Sequence, residues 1–198
     1  MRSARPLVVG VLIGIALSVC SLAVAGMVYL RTTELSARGD AGALETSLAA
    51  RARRLAIPAS ARERQNPVPA SAAALADGMA HFADHCATCH ANDGSGETEL
   101  GRGFYPRTPD MRLPATQQLS DGELFHVIEQ GIRFTGMPGW STGTASGEES
   151  TWHLVHFLRH LPRVSAGELE AMKARNPRSP AEIRVEIEEE RFLSGAEP

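Results

Sequence analysis

The chain has 198 residues, 43% hydrophobic and 22% charged, with a net charge of -3 and three cysteines, which bounds it to one domain of ordinary size with appendages, or two very small ones. The charge is unevenly spread: residues 1–71 hold nine arginines against four acids, residues 72–162 five arginines against eleven acids, and residues 163–198 six basic against eight acidic residues. An acidic central segment excludes a phosphate-tracking nucleic-acid footprint and favours a partner with a basic patch.

In chain order, the first element is a run of 24 residues without charge, Leu7 to Leu30. As a helix it would span ~36 Å against a hydrocarbon core of ~30 Å, so residues 1–30 are expected to form a membrane anchor. The competing reading is a cleaved signal peptide, since Ala23-Val24-Ala25 follows a positive start at Arg2 and Arg5. Against it, Met27, Val28, Tyr29 and Leu30 carry the apolar run past that site, with Tyr29 where an interfacial aromatic belongs. Bulky Val19 before Cys20 argues against a lipoprotein signal, and Cys20 reads as an inert apolar residue. Arg2, Arg5 and the amino terminus oppose Arg31 and Arg38 across the span, so counting positive charges leaves the orientation open.

Residues 31–71 read as a stalk. Leu35, Leu44, Leu48 and Leu55 suggest partial helix, and Gly39, Gly42, Pro58, Pro67 and Pro69 interrupt it. A flexible chain of about 40 residues spans ~35 Å, enough to let a domain sweep over a neighbour in the membrane. Arg51, Arg53 and Arg54 form a small basic cluster; the expectation is a plain stalk, with contact to anionic headgroups the alternative.

Residues 72–162 are the expected folded domain. Leu75, Met79 and Phe82 form the apolar stripe of a first helix, which leads into Cys86-Ala87-Thr88-Cys89-His90. Cys-x-x-Cys-His is the pattern of c-type haem attachment. Two thiols three positions apart at a helix end can add to the two vinyl groups on one porphyrin edge, and the next histidine is carried under the ring to bond iron. A thioredoxin-like pair would need a βαβ context, and a zinc site a second ligand pair; neither is in the sequence. Ser120 and Glu123 form a capping box, and Leu124, Val127, Ile128 and Ile132 recur at helical spacing, predicting a helix over 119–132 that closes near Gly131. Glu148 and Glu149 suit the start of a last helix, whose stripe of Leu154, Phe157, Leu158 and Leu161 ends at Pro162. Residues 163–198 form an acidic tail with a second capping box at Ser165 and Glu168. A solvated helix or disordered tail is expected there, and a docking peptide using Phe192 and Leu193 is the alternative.

Further residues carry a resemblance. Gly78 and Phe82 precede Cys86 by eight and four residues, Asn92 to Gly96 form a polar loop after His90, and Phe104 to Asp110 a proline-containing one; Leu119 to Arg133 and Gly136-Met137-Pro138-Gly139-Trp140 follow. From Ala72 to Pro162 this pattern resembles the class I cytochromes c, in particular their membrane-anchored bacterial members with one haem. Ala91 departs from the glycine common there. The resemblance implies an all-α fold around one covalent haem c, with the first and last helices crossing through Gly78, Phe82 and Phe157. It also implies single-electron transfer without catalytic residues, to redox partner proteins that are membrane-bound or periplasmic, from a domain on the periplasmic side of the inner membrane. Whether such a carrier shuttles freely or is a subunit of a larger oxidoreductase stays open.

His90 is then the proximal iron ligand, and Met137, in a loop stiffened by Pro138 between Gly136 and Gly139, is the leading distal ligand. Met111 is the runner-up, Met79 reads as core and Met172 lies outside the domain. His/Met ligation raises the reduction potential relative to two nitrogens and leaves no open site. Arg102, Arg107, Arg112 and Arg133 are candidates to pair with haem propionates, and Trp140 either bonds a propionate or covers the haem edge. His81 with His85, and His156 with His160, have metal-chelating i,i+4 spacing, and His153 stands near the latter pair, but all five read first as imidazoles on solvated helix faces. His126 is expected to pack within its helix.

Overall fold

The structure, a computed structural model, describes residues 5–32, 39–178 and 180–194. Arg2, Leu35, Arg38 and the side chain of Arg5, used above, lie outside the described residues. The chain divides into two units, residues 1–37 and 38–198.

The first unit holds α1, Arg5–Thr32, a single helix of 28 residues. Its apolar window is exposed along its whole length, and a helix apolar all round and long enough to cross a bilayer suggests a membrane anchor. Of its hydroxyl side chains, Ser18 bonds back to the Gly14 carbonyl and Thr32 to that of Val28, both at 2.9 Å, which is how such groups are satisfied in lipid.

The second unit is built of helices and connecting loops, with no strand among its described residues. It runs through α2 (Ala43–Ala56), α3 (Ala59–Glu63), α4 (Ala72–His81), a π-helical turn (Phe82–Cys86), α5 (Ala87–His90), α6 (Glu99–Gly103), α7 (Pro114–Gln117), α8 (Asp121–Gln130), α9 (Ala145–His160), a 3-10 turn (Leu161–Arg163), α10 (Ala166–Lys173) and α11 (Pro180–Ser194). Hydroxyl caps set the boundaries. Ser71 accepts from the Ala74 amide at 3.0 Å and Thr144 from that of Gly147 at 3.1 Å. Both predicted capping boxes form, at Ser120 with Glu123 and at Ser165 with Glu168. α8 stops at Gly131, whose φ of 68° lies in the left-handed region that glycine enters without cost. The predicted 119–132 helix is therefore trimmed at both ends by its own cap residues.

The core forms where α4 and α8 pack on α9. A Cβ on Gly78 would lie 2.1 Å from the His153 carbonyl oxygen, so the two backbones meet at closest approach there. One turn on, the rings of Phe82 and Phe157 stand 5.0 Å apart. On the other side of α9, Trp152 stacks on Phe125 at 4.1 Å, and Leu124, Ile128, Leu154, Val155 and Leu158 fill the space between.

Packing continues past both ends of residues 72–162. Ile57 is buried, the Arg64 guanidinium lies over the Phe125 ring at 4.3 Å, and the Ser120 hydroxyl donates to the Arg62 carbonyl at 2.9 Å. The segment between α3 and α4 is thereby strapped across α8 and α9, with Asn66 donating to the Trp152 carbonyl at 3.1 Å. On the other side, Met172 is 0% exposed and belongs to the core cluster. This corrects its expected position outside the domain: one thioether on a polar helix, docked into the core, leaves no periodic apolar signature.

Candidate functional site

The Cys-x-x-Cys-His motif begins where α4 changes pitch. The amide of Ala87 bonds the carbonyl of Phe82, five residues back, so one turn carries an extra residue before α5 begins. Such single π turns are rare and cluster at functional sites. Cys86 closes the turn, and Cys89 and His90 close α5, with both thiols half-buried. Burial pushes the Cys86 thiol up to about 12, helped by the neighbouring Cys89, whose own thiol is also raised by burial. This is the reverse of the lowered thiol that activates a redox Cys-x-x-Cys pair.

His90 is held in a dry place. Burial lowers its imidazole to about 4, so the ring is neutral, the form that binds iron. Its Nδ1 is buried with no hydrogen-bond partner, an orphaned polar atom of a kind that native proteins rarely keep. The ring lies 6.4 Å from that of Phe82.

Two loops close over the motif. The first, after His90, returns immediately: the Gly96 amide bonds the His90 carbonyl at 2.8 Å and the Thr98 hydroxyl the Cys89 carbonyl at 3.2 Å. A Cβ on Gly101 would stand 2.4 Å from that same Cys89 oxygen, so only glycine allows α6 to press so close. The second loop, 104–113, is fastened to the first. Arg112 donates to Asp93 at 2.9 Å and to both Asp110 carboxylate oxygens, and the Met111 amide bonds the Gly94 carbonyl at 2.8 Å. The Arg112 hydrogen bonds hold the Asp110 carboxyl below its ordinary range. Ala91, directly after His90, has φ 58° and ψ 157°, a conformation natural to glycine and strained for alanine.

Met137 lies in a third loop, closed on itself by the Ile132 amide bonding the Met137 carbonyl at 3.0 Å and by the Thr135 hydroxyl bonding the Ile132 carbonyl at 2.7 Å. It is pinned to the end of α8, where the Trp140 amide bonds the Ile128 carbonyl at 3.0 Å. A Cβ on Gly136 would come within 2.6 Å of the Phe104 ring, so the second and third loops lean on each other. Trp140 meets the His85 ring edge-on at 5.5 Å, just before Cys86. Met137 is half-buried, whereas Met111 is 7% exposed and part of the core cluster. Met79 packs against that cluster from α4.

The arginines and histidines are largely spoken for. Arg102 pairs with Glu97 at 3.3 Å, Arg107 with Asp40 at 3.1 Å and Arg112 as above, while Arg133 is exposed in the Met137 loop. His156 faces the Val68 carbonyl at 2.8 Å, His160 the Glu168 carboxylate at 2.9 Å, and His153 stands 3.7 Å from Asp77. His81 and His85 meet edge-on at 4.8 Å, and burial chiefly, then His85, lowers the His81 imidazole. Among the described residues no group of three His, Cys, Asp or Glu could hold a metal ion. Sequence reading did not foresee Arg159, which binds Asp121 at 2.8 Å and the Gln117 carbonyl at 2.7 Å and so ties α9 to the start of α8.

An all-helical domain in which paired half-buried thiols and a neutral imidazole end one helix, under loops fastened to the motif and to one another, has the arrangement of a c-type cytochrome domain, and together with α1 it fits a membrane-anchored cytochrome c with a single haem motif. Residues 73–158 match the family model described as cytochrome C oxidase, cbb3-type, subunit III. No curated protein matches the chain. The chemistry of the domain is electron transfer by covalently bound haem c, and the partnerless His90 nitrogen and the two thiols fit that group.

Proposed function

We propose that the chain is a tethered single-electron carrier in which haem c is bonded to Cys86 and Cys89, with His90 and Met137 as axial iron ligands, on the periplasmic side of the inner membrane. The observation that carries this reading is the buried, partnerless Nδ1 of the His90 imidazole at the end of the Cys-x-x-Cys-His turn. The bound haem supplies one-electron chemistry, its iron alternating between ferric and ferrous states. Burial keeps His90 neutral, so it arrives as a ligand without first shedding a proton. Met137 is favoured over Met111 because its loop is braced at Gly131, Gly136 and Trp140, while the Met111 side chain is committed to the core. With both axial positions filled by side chains, the protein performs no bond chemistry of its own. The acidic domain suits a redox partner that presents basic residues, in the membrane or free in the periplasm.

A second reading, a fixed subunit of a terminal oxidase complex, keeps the electron role and is favoured by the description of the matched family. Stoichiometric co-purification with an oxidase after mild detergent extraction would distinguish it from a shuttle.

The test of the site uses two variants of the haem-loaded chain. Met137→Ala opens the iron, so ferrous protein binds carbon monoxide readily where the parent binds it poorly. Met111→Ala leaves the ligand-field spectrum intact. Rapid carbon monoxide binding by the parent, or a spectral change confined to the Met111 variant, would overturn the assignment. Covalent attachment is checked by extraction into acidified organic solvent, which should leave the haem on the denatured chain.

A further inference from the structure

We propose that α2 is an interfacial helix that lies on an anionic phospholipid surface, with Leu44, Leu48 and Leu55 in the acyl boundary and Arg51 and Arg54 among the headgroup phosphates. The three leucines fall within an arc of about 40° on a helix turning 100° per residue. They are 73%, 55% and 84% exposed. α2 buries none of its residues, and the polar contacts described for it gather toward its ends. Glu45 accepts from the Tyr105 hydroxyl at 2.5 Å, Arg107 pairs with Asp40 at 3.1 Å, and Arg62 bonds the carbonyls of Arg54 and Ile57 beyond the other end. A leucine row so aligned and so open to water marks a surface meant to be covered.

Charge selects the cover. Arg51 lies about 20° and Arg54 about 80° from the leucine row, and both are exposed. The single acid of the helix, Glu45, is engaged with Tyr105. Two copies meeting along the leucines would bring their Arg51 side chains together without a counter-charge, whereas anionic headgroups neutralise both arginines and strengthen binding by roughly fivefold for each. Tethering adds to this. Ten residues separate the end of α1 from the start of α2, a reach of at most ~35 Å. A helix kept that near a bilayer needs little intrinsic affinity to stay down.

The inference rests on the reading of α1 as the membrane tether, and one experiment reads the two apart. The haem-loaded full chain is reconstituted into phosphatidylcholine vesicles with and without phosphatidylglycerol, a lipid-borne diazirine is photolysed, and labelled residues are located by mass spectrometry. α1 should be labelled in both vesicles; if it is not, the tether reading fails. In α2, residues 44, 48 and 55 should be labelled and Thr46 and Arg53 spared when phosphatidylglycerol is present. That labelling should fall at least fivefold without phosphatidylglycerol, or in R51Q/R54Q. L44S/L48S/L55S should abolish it while preserving the haem spectrum and α1 labelling. With α1 labelled, an unlabelled α2 in the anionic vesicles, or labelling on every face of it, would overturn the proposal.

Discussion

Ala91 shows how one side chain can be spent badly beside a ligand. Its φ of 58° with ψ of 157° lies where a Cβ is costly, yet the turn is enforced by the Ala91 amide on the Ala87 carbonyl and by the Gly96 amide on the His90 carbonyl, both at 2.8 Å. Ala91→Gly should therefore stabilise the protein by about 1 kcal/mol, raising the melting temperature by ~4–8 °C with no change in the haem spectrum. An unchanged or lower midpoint would mean that the strain is relieved elsewhere. The sequence marks this residue only as a departure from a common glycine, because backbone angles are not written in residue types. The motif itself was legible, since its chemistry needs only five adjacent residues. Arg112, a propionate candidate by sequence, clamps Asp93 to Asp110, contacts that a linear pattern does not display. That clamp has a pH signature. The Asp110 carboxyl is lowered from 3.8, chiefly by the Arg112 hydrogen bond, so its stabilisation is present above the unfolded value and lost as pH falls through the folded one. The parent should lose stability below about pH 4 more steeply than Asp110→Asn, by up to ~1 kcal/mol for a partly exposed pair; parallel acid melts would remove Asp110 from the account.

Between elements, the α4–α9 crossing carries the site. Gly78 on α4, Phe82 in the π turn that follows it and Phe157 on α9 are legible as a helix–helix contact only through the family resemblance, and the structure has them in contact. Because the Gly78 position abuts backbone and not a movable side chain, Gly78→Ala must push the helices apart. We expect a loss of ~1–3 kcal/mol, seen as a lower denaturation midpoint; a neutral result would show that the crossing yields cheaply. The expected stalk was less legible. Ile57, Arg62, Arg64 and Asn66 strap onto α8 and α9 through backbone carbonyls and a stacked guanidinium, and neither kind of contact leaves an apolar period. Met172 was missed for the same reason.

For the whole molecule, the decisive contrast lies between a helix with no buried face and a domain that is closed around its own core. An apolar helix of this length does not leave a bilayer reversibly. The haem-loaded protein should therefore sediment with membranes and be released by detergent but not by high salt or osmotic shock. Recovery in the soluble periplasmic fraction would favour the cleaved-signal alternative. The acidic balance of the domain is plain from charge counting alone, whereas its fastening to α2 through Tyr105, and to Asp40 just before α2 through Arg107, is not.

The π turn at Phe82–Cys86 sets a rule for anyone who splices this domain with another. It is one residue of surplus chain inside a helix, and a deletion of a single residue there would let an ordinary helix run through. Everything downstream would then swing by about 100° and shift by ~1.5 Å. Phe82 would still face Phe157, but Cys86, Cys89 and His90 would emerge on a different side of the helix. Chimeras joined at this point must conserve the residue count as well as the residues, since a graft whose motif is perfect in letters would fail to mature with haem.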